Sequence, residues 1–262
     1  MIGTSPLWPP DVIQTSLSEF EALLKQAFEG CGLDPSMSND AAKGIVWSAS
    51  RGFEVEPSIS PEALDALANE NKPAYRVLKR SQDELQLDFQ GNNTLYLVWA
   101  PSDWLVSRAV SGTAVAEIRN AVDPIALAKA VTDLARHGLE SVAYWVDEKS
   151  NTAYRLRCSA TQSEAHYECY QWLETNKEPQ DAALWLACGI NTHEINALSD
   201  RFFANRSYKL ESVVTPEAFE LRQQQSLETG LHIAPQIWGR LEYYRDLTLV
   251  TASRQSRLGA GA

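Results

Sequence analysis

Between Gly112 and Ala160 the hydrophobic period changes twice, and this stretch constrains the fold more than any single motif. "GTAVAEI" alternates as a strand does. "DPIALAKAVTDLARHG" carries apolar residues at helical spacing, with Asp123 as cap, Pro124 in the first turn and Gly138 as the stop. "SVAYWVDEKSNTAYRLRCSA" alternates again about a polar "EKSN" turn and reads as a hairpin. A helix set between strands buries its apolar stripe against a sheet. Hairpins together with a crossover give strands of both directions. The expected class is therefore α/β, with α+β as the variant: a mixed β-sheet covered by helices.

Toward the N-terminus the helical period dominates. "SPLWPP" is expected to be extended, because its prolines oppose helix. Ser16 and Glu19 form a capping box, followed by Phe20, Leu23, Leu24, Ala27 and Phe28 on one face. A second helix is predicted over Ser38–Ser50, and "SPEALDALANE" opens a third with a serine cap and proline at its first position. Residues 16–70 thus read as a helical layer, 72–160 as sheet with a crossover helix, and 161–262 as a helical C-terminal region. The whole of 1–262 is taken as one globular unit, with a split into two lobes near residue 72 or 180 left open. "LQLDFQGNNTLYLVWA" reads as a hairpin turning at Gly91–Asn93. "EAHYECYQWL" fits a strand by alternation and a helix by length. Near the C-terminus, Asn191–Glu194 and Thr215 mark two helix starts, the second running to Gly230.

The chain's formal net charge of −11 argues against nucleic acid and anionic membranes as partners, since both are held mainly through lysine and arginine. The longest apolar stretch, "TLYLVWAP", is far short of the roughly 20 residues of a spanning helix. The opening residues lack a basic segment and an apolar core, so no signal peptide is expected and the cytoplasm is the expected location. Cys31, Cys158, Cys169 and Cys188 form no CxxC pair and are expected to be reduced core thiols.

Motifs for chemistry are sparse. Zinc needs ligands converging from short motifs, and Glu164, His166 and Cys169 make only a loose trio, so no metal site is assigned. No GxSxG elbow occurs. "GCGLDP" lacks the strand and third glycine of a dinucleotide fingerprint, so the residues name no cofactor. Glu54 and Glu56 in "RGFEVEP" would share a face of an extended segment, where two carboxylates serve acid/base work or binding. Trp99, Trp145, Trp172 and Trp185 are expected in the core, and Trp104 and Trp238 are candidates for lining a pocket. His137, beside Gly138, is expected to end its helix.

The stretch "GCGLDPSMSNDAAKGIVWSASRGFE" combines G-x-G, a polar turn, D-A-A and then R-G. It resembles the N-terminal helical hairpin of the malate/L-lactate dehydrogenase-like oxidoreductases. It is more similar to a bacterial family known only as a domain of unknown function, whose pattern also includes "FANRSYKLES" and the terminal Ser256, Arg257 and "LGAGA". The first resemblance implies nicotinamide-dependent reduction of a keto acid and a homodimer. It also implies a Ser-His-Gly after the R-G that supplies an active-site histidine. Here those positions read Val55, Glu56 and Pro57, and no Ser-His-Gly occurs anywhere in the chain.

The function expected from these residues is a binder of, or an enzyme acting on, a small anionic, carboxylate-type metabolite. Its ligand would be held by Arg51, Arg206, Arg254 and Arg257, because guanidinium forks match carboxylates. Glu54, Glu56 and Tyr208 would line the site, and Gly259 and Gly261 would offer backbone amides. Two alternatives stand beside it: a non-catalytic accessory or interaction protein, and an oxidoreductase relative without the usual histidine.

Overall fold

A computed structural model of the chain describes residues 12–69, 72–147, 150–172, 183–203 and 208–248. The chain enters through a short strand, β1 (Ile13–Thr15), and helix α1 (Leu17–Gly30). Both halves of the Ser16–Glu19 capping box form, and the five predicted apolar positions of α1 are buried. Helix α2 (Pro35–Ser50) starts three residues before the predicted boundary, because Asp34 caps it through the amides of Ser36 and Met37 and Pro35 fits its first turn. Then follow α3 (Glu56–Ile59) and α4 (Pro61–Asn69).

The sheet begins with β2 (Arg76–Arg80) and β3 (Glu84–Asp88). Beyond β3 the predicted hairpin does not form. The chain turns at Gln90–Asn92 and enters α5 (Thr94–Leu97) and α6 (Trp99–Ala109). Asn93 caps α5 by accepting from the Leu95 amide at 2.8 Å. "TLYL" is buried on every side, and a short wholly buried segment has no period that separates strand from helix. Trp99, expected in the core, stands at the head of α6 and is 38% exposed, its indole N–H donating to the Tyr96 carbonyl.

Strand β4 (Ala114–Arg119) leads into α7 (Ala126–Arg136). Asp123 sits two residues before the helix cap Ile125 and accepts from its amide, and His137 ends the helix as expected. Next come β5 (Glu140–Asp147) and β6 (Thr152–Cys158), which form the predicted hairpin, and β7 (His166–Trp172), which settles the ambiguous segment as strand. The remaining elements are β8 (Leu184–Gly189), α8 (Thr192–Phe203), β9 (Tyr208–Val214), α9 (Pro216–Thr229), β10 (Leu231–Ile233) and α10 (Pro235–Thr248).

Eight strands form one sheet in the order β2-β3-β4-β8-β5-β6-β7-β9, and β1 pairs with β10 outside it. Among the described residues β3 and β4 are the parallel pair, joined by the α5–α6 crossover. The other neighbours run antiparallel, so the sheet is mixed as expected. Leu127, Val131 and Leu134 of α7 join Ala116, Ala143, Leu156 and Leu186 in the main core, which continues into α1, α2 and α10. On the opposite face, Ile195 of α8 packs on Val142 and Ala187. The α/β class holds.

The helical layer is tight at one point. A Cβ on Gly30 would lie 1.9 Å from the carbonyl oxygen of Tyr244, so α1 and α10 meet backbone to backbone there. Cys31, Cys158 and Cys188 are buried and free, and Cys169 is half-buried and free. Burial pushes the Cys31 and Cys188 thiols up to about 12 and that of Cys158 up to about 11.

Candidate functional site

The end of α2 and the loop after it form one wall of a cleft of about 500 Å³; α9 and β10 form the other. The wall is built from the R-G motif. Arg51 is 2% exposed, and its guanidinium is spent inside the protein. It forms a buried ion pair with Glu164, with Nε donating to Oε2 at 2.8 Å, and lies 4.2 Å from the Trp47 ring centroid. Arg51 therefore keeps its charge in the core, and its backbone carbonyl accepts from Arg222 of α9. Gly52 follows at φ +79°, a conformation that favours glycine, and a Cβ there would press on Arg222 at 3.3 Å.

Helix α9 is fixed by one buried residue, Phe219, which stacks on Phe53 with centroids 5.3 Å apart. Phe53 in turn stacks on Trp47 at 6.1 Å. Two polar contacts then set the helix rotation. Arg222 Nη1 donates to the Arg51 carbonyl at 3.2 Å, and Ser226 Oγ donates to the Ser50 carbonyl at 3.2 Å. Both carbonyls lie at the C-terminal end of α2, where helix geometry leaves acceptors without intrahelical donors. Arg222 is thereby held over the cleft while its remaining guanidinium N–H groups have no acceptor among the described residues.

Glu54 and Glu56 line the same cleft, and both are exposed. Neither makes a hydrogen bond or an ion pair among the described residues. Val55 between them is buried, but it takes helical φ/ψ of −107° and −13° and Glu56 opens α3. The two glutamates therefore do not share one face of an extended segment, contrary to expectation. His232 reaches the cleft from β10, where its backbone pairs with Gln14 of β1. Counting Glu54, Glu56 and Arg222, the cleft carries two negative charges and one positive, in no mutual ion pair.

A second polar cluster adjoins the cleft through α3, where Ser58 donates to the Asp123 carboxylate. Asn93 Nδ2 reaches the same carboxylate at 3.4 Å. These residues lie where the parallel strands β3 and β4 end, and the turns there are laced by backbone bonds such as Gly91 to Asn120 at 2.6 Å. Gln90, Asn120 and Asp123 all take φ near +50° there. Burial pushes the Asp123 carboxyl above its ordinary range against the lowering effect of the Ile125 amide and Asn93. Ends of parallel strands are the usual ligand edge of an α/β sheet, and non-glycine residues in the left-handed region concentrate at working sites.

Of the residues predicted to hold a ligand, the cleft is lined by Glu54 and Glu56, while Arg51 is not part of its lining and its guanidinium is buried against Glu164. Tyr208 lies elsewhere, at the start of β9, its hydroxyl 2.8 Å from that of Tyr144. Arg206, Arg254, Arg257, Gly259 and Gly261 lie outside the described residues. Trp104 packs into the core and Trp238 against it, and neither lines this cleft. Of the loose trio Glu164, His166 and Cys169, Glu164 is paired with Arg51. Arg222 and His232 were not anticipated. Nothing local in "ELRQQQSLETG" or "LHIAP" distinguishes them, since their place depends on α9 packing against α2 across more than half the sequence.

Residues 15–59 match the model of a family described as "Protein of unknown function (DUF3726)". No curated protein matches the chain in sequence. Among solved structures, malate dehydrogenase from Pyrococcus horikoshii OT3 superposes with a TM-score of 0.66 at 9% identity, covering 94% of this chain and 99% of that one. Sulfolactate dehydrogenase from Methanocaldococcus jannaschii gives 0.62 at 12%, covering 90% and 98%. A delta1-piperideine-2-carboxylate reductase from Pseudomonas syringae gives 0.57 at 13%, covering 90% and 99%. The chain is thus similar to the family of unknown function over its N-terminal helical hairpin, and it has the α/β fold seen in malate/lactate dehydrogenase-like proteins.

Proposed function

We propose that this protein binds a small carboxylate-bearing metabolite in the cleft between α2–α3 and α9–β10. The observation that carries the proposal is Arg222, which is tethered to the Arg51 carbonyl and projects over a cleft of about 500 Å³ without an ion pair. A guanidinium held by one N–H keeps a fork free for a carboxylate, and that pairing is among the stronger polar contacts available. The fold supports the same ligand class, because the neighbours named above are named for malate, sulfolactate and piperideine-2-carboxylate. Arg51 serves as a positioning residue: paired with Glu164, it fixes the carbonyl on which Arg222 rests.

The test is a thermal-shift panel of 2-hydroxy, 2-oxo and 2-amino monocarboxylates with the wild type and Arg222→Ala. At least one acid is expected to raise the melting temperature of the wild type and to leave the variant unmoved. Equal shifts in both proteins, or none in either, would reject the site. Oxidoreductase chemistry on the bound acid is a second reading, favoured by the fold shared with the dehydrogenases. It predicts quenching or enhancement of NADH or NADPH fluorescence on binding, and unchanged fluorescence at saturating protein would dismiss it.

A further inference from the structure

Strand β2 ends the eight-stranded sheet, and among the described residues no strand pairs with its outer side. All five of its residues are exposed, Val77 to 50%. An edge strand presents a row of free backbone N–H and C=O groups, and native proteins ordinarily cover or blunt it. Here the blunting is partial: the register slips between Val77 and Lys79, so Leu78 is the extra residue of a bulge. The two faces of the strand differ. On one, Tyr75, Val77 and Arg80 border a groove of about 310 Å³ against α6, whose floor includes Leu85, Leu87 and Trp104. The exposed rings of Tyr75 and Trp99 meet edge to face there, 6.4 Å apart. On the other face, Arg76 and Lys79 reach Asp88 and Glu84, which alternate with Leu85 and Leu87 along β3.

We infer that β2 docks an extended segment of a partner protein as an added strand, in which acidic and apolar residues alternate. Its apolar side chains lie along Tyr75 and Val77 in the groove, and the residues between them set carboxylates opposite Arg76 and Lys79. Charge selects this occupant. Directly opposed side chains on paired strands are about 4.5–5.5 Å apart, where opposite charges stabilise and like charges repel. The backbone of β3 is one strand further off, about 10 Å from an added strand. Its pairs with Arg76 and Lys79 are exposed and worth little, so both cations are free to turn to the newcomer. Arg80 has no ion pair among the described residues. The same rule disfavours a second copy of this chain, because antiparallel pairing of β2 with itself about Leu78 would set Arg76 against Arg80. At the far edge of the sheet, β9 carries Lys209 and Glu211 and presents no single sign. The groove shares no lining residue with the Arg222 cleft, so the inference stands apart from the carboxylate site.

The probe is a fluorescein-labelled peptide of sequence EVEVEVE, titrated with the full-length protein and followed by anisotropy. KVKVKVK reverses its charge, and EEVVVEE keeps its composition but breaks the alternation. The alternating acidic peptide is expected to bind at least about tenfold tighter than either control, the size of a few cross-strand pairs. Amide hydrogen exchange should slow over residues 76–80 when it binds. The double variant Arg76→Gln/Lys79→Gln should weaken binding about fivefold. These side chains are 65% and 54% exposed, so the substitutions leave the fold intact. Equal affinity for EEVVVEE would reduce the surface to charge attraction and overturn the inference. Protection elsewhere than at residues 76–80, or no binding of EVEVEVE, would overturn it too. A dimer that forms with rising protein concentration and breaks in Val77→Asp, without peptide binding, would assign the edge to a second copy and overturn it as well.

Discussion

Arg51 and Glu164 are, respectively, 2% and 3% exposed, and each is the other's charge partner. Removing one member of such a pair strands the other charge in the core, which costs about 3–5 kcal/mol. Glu164→Ala is therefore expected to lower stability by that order in chemical denaturation, and a change below about 1 kcal/mol would mean that Arg51 finds water or another acceptor. The cysteines give a second prediction at this scale. With burial raising the thiols of Cys31, Cys158 and Cys188 to about 11–12, almost no thiolate forms at neutral pH. A thiol reagent at pH 8 should modify at most Cys169 quickly in the native state, and all four after denaturation. Residue identities in the sequence singled out Glu54, Glu56 and the R-G motif, but the alternation assumed for the two glutamates is broken where Glu56 opens α3. They did not show that the Arg51 charge is consumed, because Glu164 lies 113 positions away in sequence.

At the scale of elements, helices with side-chain caps were legible. Ser16, Thr215 and the Gly230 stop each carry a local hydrogen-bonding reason, and each falls where expected. The segment after β3 was not legible, because the Asn93 cap and the buried Thr94–Leu97 turn imitate a hairpin's turn and second strand. The α1–α10 crossing was equally invisible, as nothing near Gly30 announces Tyr244. That crossing makes a strong demand. Gly30→Ala would push a methyl into the Tyr244 carbonyl, and forced overpacking costs about 1–3 kcal/mol. The variant should melt several degrees lower, and a melting temperature equal to that of the wild type would mean that the two helices can separate without loss.

For the whole molecule, mixed sheet direction and helical cover followed from the alternation of periods, but strand order did not. Strand β8 inserts between β4 and β5, far from both in sequence, and β9 closes the sheet beyond β7. Such pairings depend on the packing of faces and leave no local mark. The same long-range assembly creates the cleft, since α9 and β10 return from the end of the described chain to face α2. The central claim is that this junction places Arg222 to hold a carboxylate. It is tested most directly by crystal structures of the protein grown with L-proline and with L-lactate. The account predicts the ligand carboxylate within hydrogen-bonding distance of the Arg222 guanidinium, in the cleft beside Gly52 and Glu56. A carboxylate bound at another surface, or a cleft empty at ligand concentrations that saturate binding in solution, would contradict it.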